Sequence, residues 1–297
     1  MNKIIIISGL YAISLLACKR ETEHITNPAQ SRIKTMEFIS MGSLAGYKDR
    51  MNINYDNSNR VVSLQAYNTQ LPPGAPFYDS IFNLRFDYAG NSNMPYRASI
   101  TRYGVPYNEI HFLQYDAAGQ LAKDSVLFYS SVNGWYFHTV TWVIRSGSDY
   151  ICRDSTIPPG PGVPPPPAQI YYFTLKYVNN NFTEYGTGSP GSFFMDFDVG
   201  DNPLNQLNIA SLFPVMDYQH TPICNNLWSV WSFSNKNNIT RIKLDFNPAT
   251  GTARDTTFLY NHYDNNGRLE KRYRCENYSG PTGIVVDTVD MIQFIYQ

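Results

Sequence analysis

The chain has 297 residues, a formal net charge of −1, 16% charged residues and 15% aromatic residues, 23 of them Tyr. That length can bury the core of one large β domain or two small ones. Near-zero charge argues against a nucleic-acid surface, which needs a basic stripe, and a low-charge chain rich in Tyr, Asn, Thr and Ser suits a β protein outside the cytoplasm.

Residues 1–17 read as a signal peptide. Asn2-Lys3 is a short basic region, and Ile4 to Leu16 is an apolar run too short to span a bilayer as a mature helix. The run ends in Leu15-Leu16-Ala17-Cys18, which resembles the lipobox of bacterial lipoproteins. The resemblance implies that Cys18 is acylated and becomes the mature N-terminus, with more than one lipid chain. Several chains hold stably where one anchors only marginally. An ordinary secretory signal ending in Cys is the alternative. Residues 18–35 then form the lipidated Cys and a flexible tether, polar from Lys19 to Ser31. Glu21 and Glu23 faintly resemble the acidic export signal of Bacteroidota surface lipoproteins, while Lys19-Arg20 departs from it. The expected location is therefore the outer membrane, lipid-anchored, with the surface or periplasmic face left open.

Residues 36–297 read as a single repeat-built β domain. Met36 to Ser40 and Met51 to Tyr55 show partial period-2 alternation, as does Val61 to Tyr67. Strand-like runs continue at Ser80 to Phe86, Ala98 to Tyr103, Glu109 to Tyr115, Leu121 to Val132 and Trp135 to Ile144. Asn133-Gly134 signals a tight two-residue hairpin. Residues 158–168 form a Pro-rich, exposed loop that cannot be strand or helix. After it come strand-like runs at Tyr171 to Tyr177, Phe193 to Phe197, Trp228 to Phe233, Ile239 to Phe246, Phe258 to Tyr263, Leu269 to Cys275 and Met291 to Tyr296. Leu204 to Met216 is the best place for a short helix or helical turn.

Four copies of aromatic-Asp-x-x-Gly/Asn-polar punctuate these runs, beginning at Tyr55-Asp56, Phe86-Asp87, Tyr115-Asp116 and Tyr263-Asp264. Asp at the first position of a type I turn accepts hydrogen bonds from backbone N–H groups further on. Gly90, Gly119 and Gly267, with Asn59 in the first copy, supply the left-handed residue that closes a bulged hairpin. Asp56, Asp87, Asp116 and Asp264 are thus structural turn residues rather than catalytic ones. Val178-Asn179-Asn180-Asn181 looks like a decayed copy. The copies resemble YD repeats, the Tyr-Asp-x-x-Gly-Arg-Leu hairpins of RHS-type proteins, most closely at Tyr263-Asp264-Asn265-Asn266-Gly267-Arg268-Leu269. Together with the lipobox and Asp201-Asn202-Pro203-Leu204, the chain resembles Bacteroidota-type lipoproteins of unknown function with degenerate RHS-like hairpins. The resemblance implies an all-β fold: an antiparallel meander of hairpin repeats forming a large twisted sheet or open barrel, with little helix. It carries over no catalytic residues.

No residue set nominates a catalytic centre, a cofactor or a metal site. Asp196, Asp198 and Asp201 offer clustered oxygen ligands, but a solvated turn explains them as well, and their spacing is not that of an EF-hand loop. After Cys18, three cysteines remain, Cys152, Cys224 and Cys275, whose pairing is open. Trp135, Tyr136, Trp228 and Trp231 could offer flat faces to a sugar ring, although core packing is the ordinary role of such rings. Asp-Ser/Thr pairs at Ser80, Ser125, Ser155, Thr256 and Thr288 resemble the acceptor pattern for O-glycosylation of exported Bacteroidota proteins. They also make polar strand entries. The function expected is a membrane-anchored envelope lipoprotein that binds or scaffolds, with a glycan or another envelope protein as partner. The alternatives are a glycan-capturing surface lipoprotein, a carboxylate-dependent hydrolase, and a carrier of apolar molecules.

Overall fold

The computed structural model describes residues 32–41, 48–70, 82–102, 108–130, 134–147, 149–156, 169–186, 193–212, 234–244, 250, 253, 255–280 and 283–297. Sixteen strands run through them: β1 (Ile33–Ser40), β2 (Lys48–Tyr55), β3 (Val61–Gln70), β4 (Phe82–Tyr88), β5 (Pro95–Arg102), β6 (Asn108–Tyr115), β7 (Leu121–Ser130), β8 (Gly134–Ser146), β9 (Asp149–Thr156), β10 (Gln169–Val178), β11 (Asn181–Gly186), β12 (Phe193–Asp201), β13 (Asn237–Leu244), β14 (Asp255–Tyr263), β15 (Leu269–Gly280) and β16 (Gly283–Tyr296). Each pairs antiparallel with the next, the meander expected from the sequence. The expectation stopped at a twisted sheet or open barrel. Closure comes from β1, where Met36 lies opposite both Met51 and Phe294.

The wall has two faces of opposite polarity. One row of directly paired residues runs Ile53, Leu64, Leu84, Ile100, and another runs Phe294, Met36, Met51, Ala66; all are buried. Between them run rows such as Gln293, Glu37, Arg50 and Asn52, Gln65, Asn83, Thr101. A strand exposes alternate residues to opposite faces, so the apolar set fills the barrel and the polar set coats it. Outer charges pair with one another. Glu37 meets Lys48 at 2.7 Å and also Arg50, and Asp196 meets Lys243 at 2.8 Å. The Lys48 hydrogen bond, with Arg50, holds the Glu37 carboxyl below its usual value against the opposing effect of burial.

A closed sheet of this many strands is wide enough for a channel when its interior is polar. Here the described interior residues form a packed, mostly apolar core. Two 3-10 turns, η1 (Pro203–Gln206) and η2 (Ala210–Leu212), bring Leu204, Leu207, Ile209 and Leu212 into the same core cluster as the wall residues. Asn202 caps η1 by accepting from Leu204 N at 3.1 Å, and it donates to the Asn235 carbonyl at 2.7 Å. Asn208 reaches across the barrel. It accepts from Val61 N at 3.0 Å and donates to Tyr88 Oη at 2.8 Å. The segment after β12 therefore lies over one end of the barrel. That end also holds the tight turns between even- and odd-numbered strands, and there Gln297 N donates to the Arg32 carbonyl at 2.9 Å. It is called the turn end below.

Several sequence expectations need correction. β1 starts at Ile33, inside the stretch assigned to the tether, and Ile33 and Thr35 are buried. The helical turn expected from Leu204 is present, as two 3-10 turns, with Pro203 starting the first and Asn202 capping it. Gly134 is not a turn centre: it opens β8 opposite Ser130. Asp87 is not a turn residue either. It sits within β4, facing outward toward Arg97 at 3.5 Å, and the turn begins at Ala89 after Tyr88. Asn179 and Asn180 both have positive φ, which is the geometry of a two-residue hairpin rather than of an Asp-x-x-Gly turn. The signal peptide, Cys18, Ser80, the Pro-rich loop, Cys224, Trp228 and Trp231 lie outside the described residues.

Candidate functional site

Three turns at the turn end share one device. In the first turn Asp56 Oδ1 accepts from Ser58 N and Arg60 N, both at 2.9 Å, while Asn59 takes φ of +66°. Asp116 does the same for Ala118 N and Gln120 N, and Asp264 for Asn266 N and Arg268 N. Arg60 returns to Asp56 at 2.7 Å, and Arg268 to Asp264 at 2.7 Å. The third copy has Gln120 where the first and fourth have Arg. Its guanidinium comes instead from Arg145 on β8, which meets Asp116 Oδ2 at 3.0 Å and the Leu121 carbonyl at 3.0 Å.

The tyrosines that end β2, β4, β6 and β16 point inward and link neighbouring hairpins. Tyr55 Oη donates to the Ile33 carbonyl, Tyr88 to Val61, Tyr115 to Pro95 and Tyr296 to Leu269, at 2.6–2.8 Å. Burial pushes the phenols of Tyr55 and Tyr88 up to about 12, and those of Tyr115, Tyr263 and Tyr296 in the same direction. An arginine entering an odd-numbered strand stacks on the tyrosine that ends the next strand. Arg32 lies over Tyr55, Arg60 over Tyr88 at 4.5 Å and Arg268 over Tyr296 at 4.9 Å. These rings and cations form a girdle inside the turn end. Their chemistry is structural: phenols held neutral and guanidiniums already paired.

Polar groups also interrupt the apolar interior, among them the pairs Asp49–Asn68 and Arg274–Asp290 and two clusters around almost fully buried cations. On β6 and β7, the inner row ending in Ile100 continues to Glu109, and His111 follows one pleat along. His111 Nδ1 lies 2.8 Å from Asp124 Oδ2, and its Nε2 lies 3.7 Å from Glu109 Oε2. All three are at most 2% exposed, with Thr139 and Thr141 buried beside them. Burial alone would push the imidazole down. The Asp124 and Glu109 carboxylates more than reverse this and raise it to about 9.

The second cluster joins β12 to β15. Arg272, fully buried, donates from Nε to Asn261 Oδ1 and from Nη2 to Asn238 Oδ1, both at 2.8 Å. Asn261 donates on to Asp198 Oδ2 at 2.9 Å, and Tyr263 Oη donates to the same oxygen at 2.5 Å. Burial lowers Arg272 to about 10, which leaves it charged at neutral pH. Tyr263 packs so closely that a Cβ on Gly200 would fall into its ring.

The sequence-nominated residues do not converge. Asp196 faces outward toward Lys243, Asp198 faces inward as acceptor for Tyr263 and Asn261, and Asp201 is exposed at the end of β12. Among the described residues no group of acidic, His or Cys side chains is arranged to hold a metal ion. Trp135 and Tyr136 lie in β8, Cys152 and Ser155 in β9, and Thr288 in β16. Ser125 and Thr256 are half-buried strand residues, and Asp124, the partner of Ser125 in its Asp-Ser pair, is turned inward to His111. Cys275 is a buried thiol. Sequence reasoning missed His111, Arg145, Asn208 and Arg272. Only the Glu109-x-His111 alternation, charged where an apolar pair would be expected, could have flagged one of them.

No family model matches the chain, and no curated protein matches it. Among solved structures the chain is similar to a porin-like protein from Bacteroides uniformis, at 11% identity and a TM-score of 0.44, over 90% of this chain and 99% of that one. It is similar also to a porin-like protein from Bacteroides vulgatus, at 10% identity and a TM-score of 0.48, over 90% and 99%. At these values the chain's own side chains must decide its function.

Proposed function

We propose that this chain is a lipid-anchored, non-enzymatic protein of the cell envelope that binds or scaffolds a partner, with its barrel standing in water. The observation that carries the reading is the polarity of the wall. A barrel that spans a bilayer shows lipid an apolar band about 25 Å tall and keeps polar groups inside. Here Glu37, Lys48, Arg50, Asn52, Gln65 and Asn83 coat the outside, and Met36, Met51, Leu64 and Leu84 fill the inside. Such a barrel needs an attachment of its own to stay at a membrane, and the Leu15-Leu16-Ala17-Cys18 sequence supplies one. The non-enzymatic part is supported by how the described carboxylates are used. Asp56, Asp116 and Asp264 hold turns, Asp124 holds His111, and Asp198 accepts from Tyr263.

The test is Cys18→Ser in the full chain, read by fractionation and by incorporation of an alkyne-tagged fatty acid. The unaltered protein should take the tag and sediment with membranes, and the variant should lose the tag. A variant that still resists alkaline extraction from membranes and migrates as a heat-modifiable barrel would sink the reading.

A further inference from the structure

We infer that the outer wall of β7–β9 carries a binding site for an acidic polysaccharide, in which Lys123 and Arg153 take its carboxylates on either side of Trp142. The inference names a partner for the envelope protein proposed above, and it rests on that reading only for where the polymer is met. In register, Lys123 on β7 lies opposite Trp142 on β8, and Trp142 lies opposite Arg153 on β9. The row faces outward, since Asp124, Thr141 and Val143, which flank it along β7 and β8, are buried inside. Lys123 Nζ lies 5.9 Å from the centre of the Trp142 ring, and Arg153 Cζ lies 5.4 Å from it. The ring is half-buried and Arg153 is exposed.

The charge of this row is uncompensated. Elsewhere on the wall Lys48 and Arg50 meet Glu37, Lys176 meets Glu184, and Arg241 and Lys243 meet Asp196. Among the described residues neither Lys123 nor Arg153 has an acidic partner; each is held on the ring instead. Their outward neighbours in the register are not acidic either. Gln114 and Ser125 flank Lys123, Val140 and Ile144 flank Trp142, and Ile151 and Ser155 flank Arg153. Two cations gathered on one ring, in a chain of net charge −1, make a local attraction for anions.

The surroundings choose the anion. Two cations are too few for a nucleic acid, which needs a basic stripe. The backbone of β8 is taken up by ladders on both sides, so no nest of free amides faces a phosphate. A carboxylate needs only the charge-assisted hydrogen bonds that Lys and Arg donate. Lys123 and Arg153 stand two strand spacings apart, roughly 10 Å at the backbone, so a polymer with repeated carboxylates meets both where a single monoanion meets one. Gln114, Ser125 and the exposed Thr174, opposite Ile151, offer hydrogen bonds to sugar hydroxyls, and the ring edge offers an apolar contact to the sugar.

The full chain, purified in non-ionic detergent, is titrated with polygalacturonate, with its methyl ester and with inorganic polyphosphate at low salt. It should bind polygalacturonate, release it as salt is raised, and bind the neutral ester at least about tenfold more weakly. Lys123→Gln/Arg153→Gln should lose at least about tenfold in affinity, and Arg153→Lys should retain most of it. Trp142→Leu, which keeps both charges, should lose about threefold. Lys34→Gln/Arg85→Gln removes the same charge from exposed positions on β1 and β4 and should bind as the parent does. Circular dichroism confirms that each variant is folded. Absence of polygalacturonate binding, equal binding of the ester, or an equal loss in Lys34→Gln/Arg85→Gln overturns the inference. Tighter binding of polyphosphate overturns it too, by assigning the row to phosphate polymers. None of these outcomes touches the anchor, which is read from the fatty-acid tag on Cys18.

Discussion

Two of the polar clusters inside the barrel, those of His111 and Arg272, solve one problem in different ways. Both bury a cation in an apolar interior, where an uncompensated charge costs several kcal/mol. His111 is held by opposite charge, with Asp124 on one nitrogen and Glu109 near the other. Arg272 is held by amides, Asn261 and Asn238, which relay it to Asp198 and Tyr263. The difference teaches that the first cluster depends on a proton that leaves within an accessible pH range. The second does not, since a guanidinium keeps its proton and amides do not titrate.

The largest effect should come from Arg272→Leu, which strands the Asn238 and Asn261 oxygens and leaves the half-buried Asp198 carboxylate without its relay. A loss of about 3–5 kcal/mol in urea denaturation is expected, at all pH values between neutral and mildly alkaline. A loss below about 1 kcal/mol would erase the contrast. His111→Leu should cost about 3 kcal/mol at neutral pH, because it leaves the buried Asp124 and Glu109 carboxylates without their cation.

The pH profile of the parent sharpens the same comparison. The folded-state pKa of His111 is raised from 6.5 to about 9, so its stabilisation is full below 6.5 and is lost as pH rises through 9. Urea midpoints should fall across that window in the parent and in Arg272→Leu, and stay flat in His111→Leu. A second decline belongs to the girdle. Its buried phenols titrate above their ordinary value of 10, so their contribution fades only above that pH. Asn261→Ala should cost about 1–3 kcal/mol with no added pH dependence. The smallest change is expected for Arg145→Gln, less than about 1 kcal/mol, since its partner Asp116 is partly exposed.

Local chemistry was readable and distant pairing was not. The Asp, Gly and Asn of the turns at Asp56, Asp116 and Asp264 announce themselves because each turn satisfies its own backbone within five residues. The same logic misplaced the second copy. Phe86-Asp87 and Tyr88-Ala89 offer two frames, and only the reach of Tyr88 to the Val61 carbonyl, a hairpin away, decides between them. Closure by β1 and β16 depends on a pairing between chain segments far apart in sequence. The guanidinium lent by Arg145 is likewise invisible at Gln120. His111 and Asp124 become partners only when β6 and β7 are placed in register, and the relay through Arg272 needs four strands at once.

The junction between β16 and β1 has the anatomy of a turn with its loop removed. Tyr296 reaches the Leu269 carbonyl as Tyr55 reaches Ile33, Arg32 stacks as Arg60 does, and Gln297 is hydrogen-bonded to Arg32. The order of hairpins around the barrel is therefore set by contacts between neighbours and not by where translation starts. A circular permutant that joins Gln297 to Arg32 through a short Asp- and Gly-containing linker, and opens at Asn265-Asn266, should fold to the same barrel.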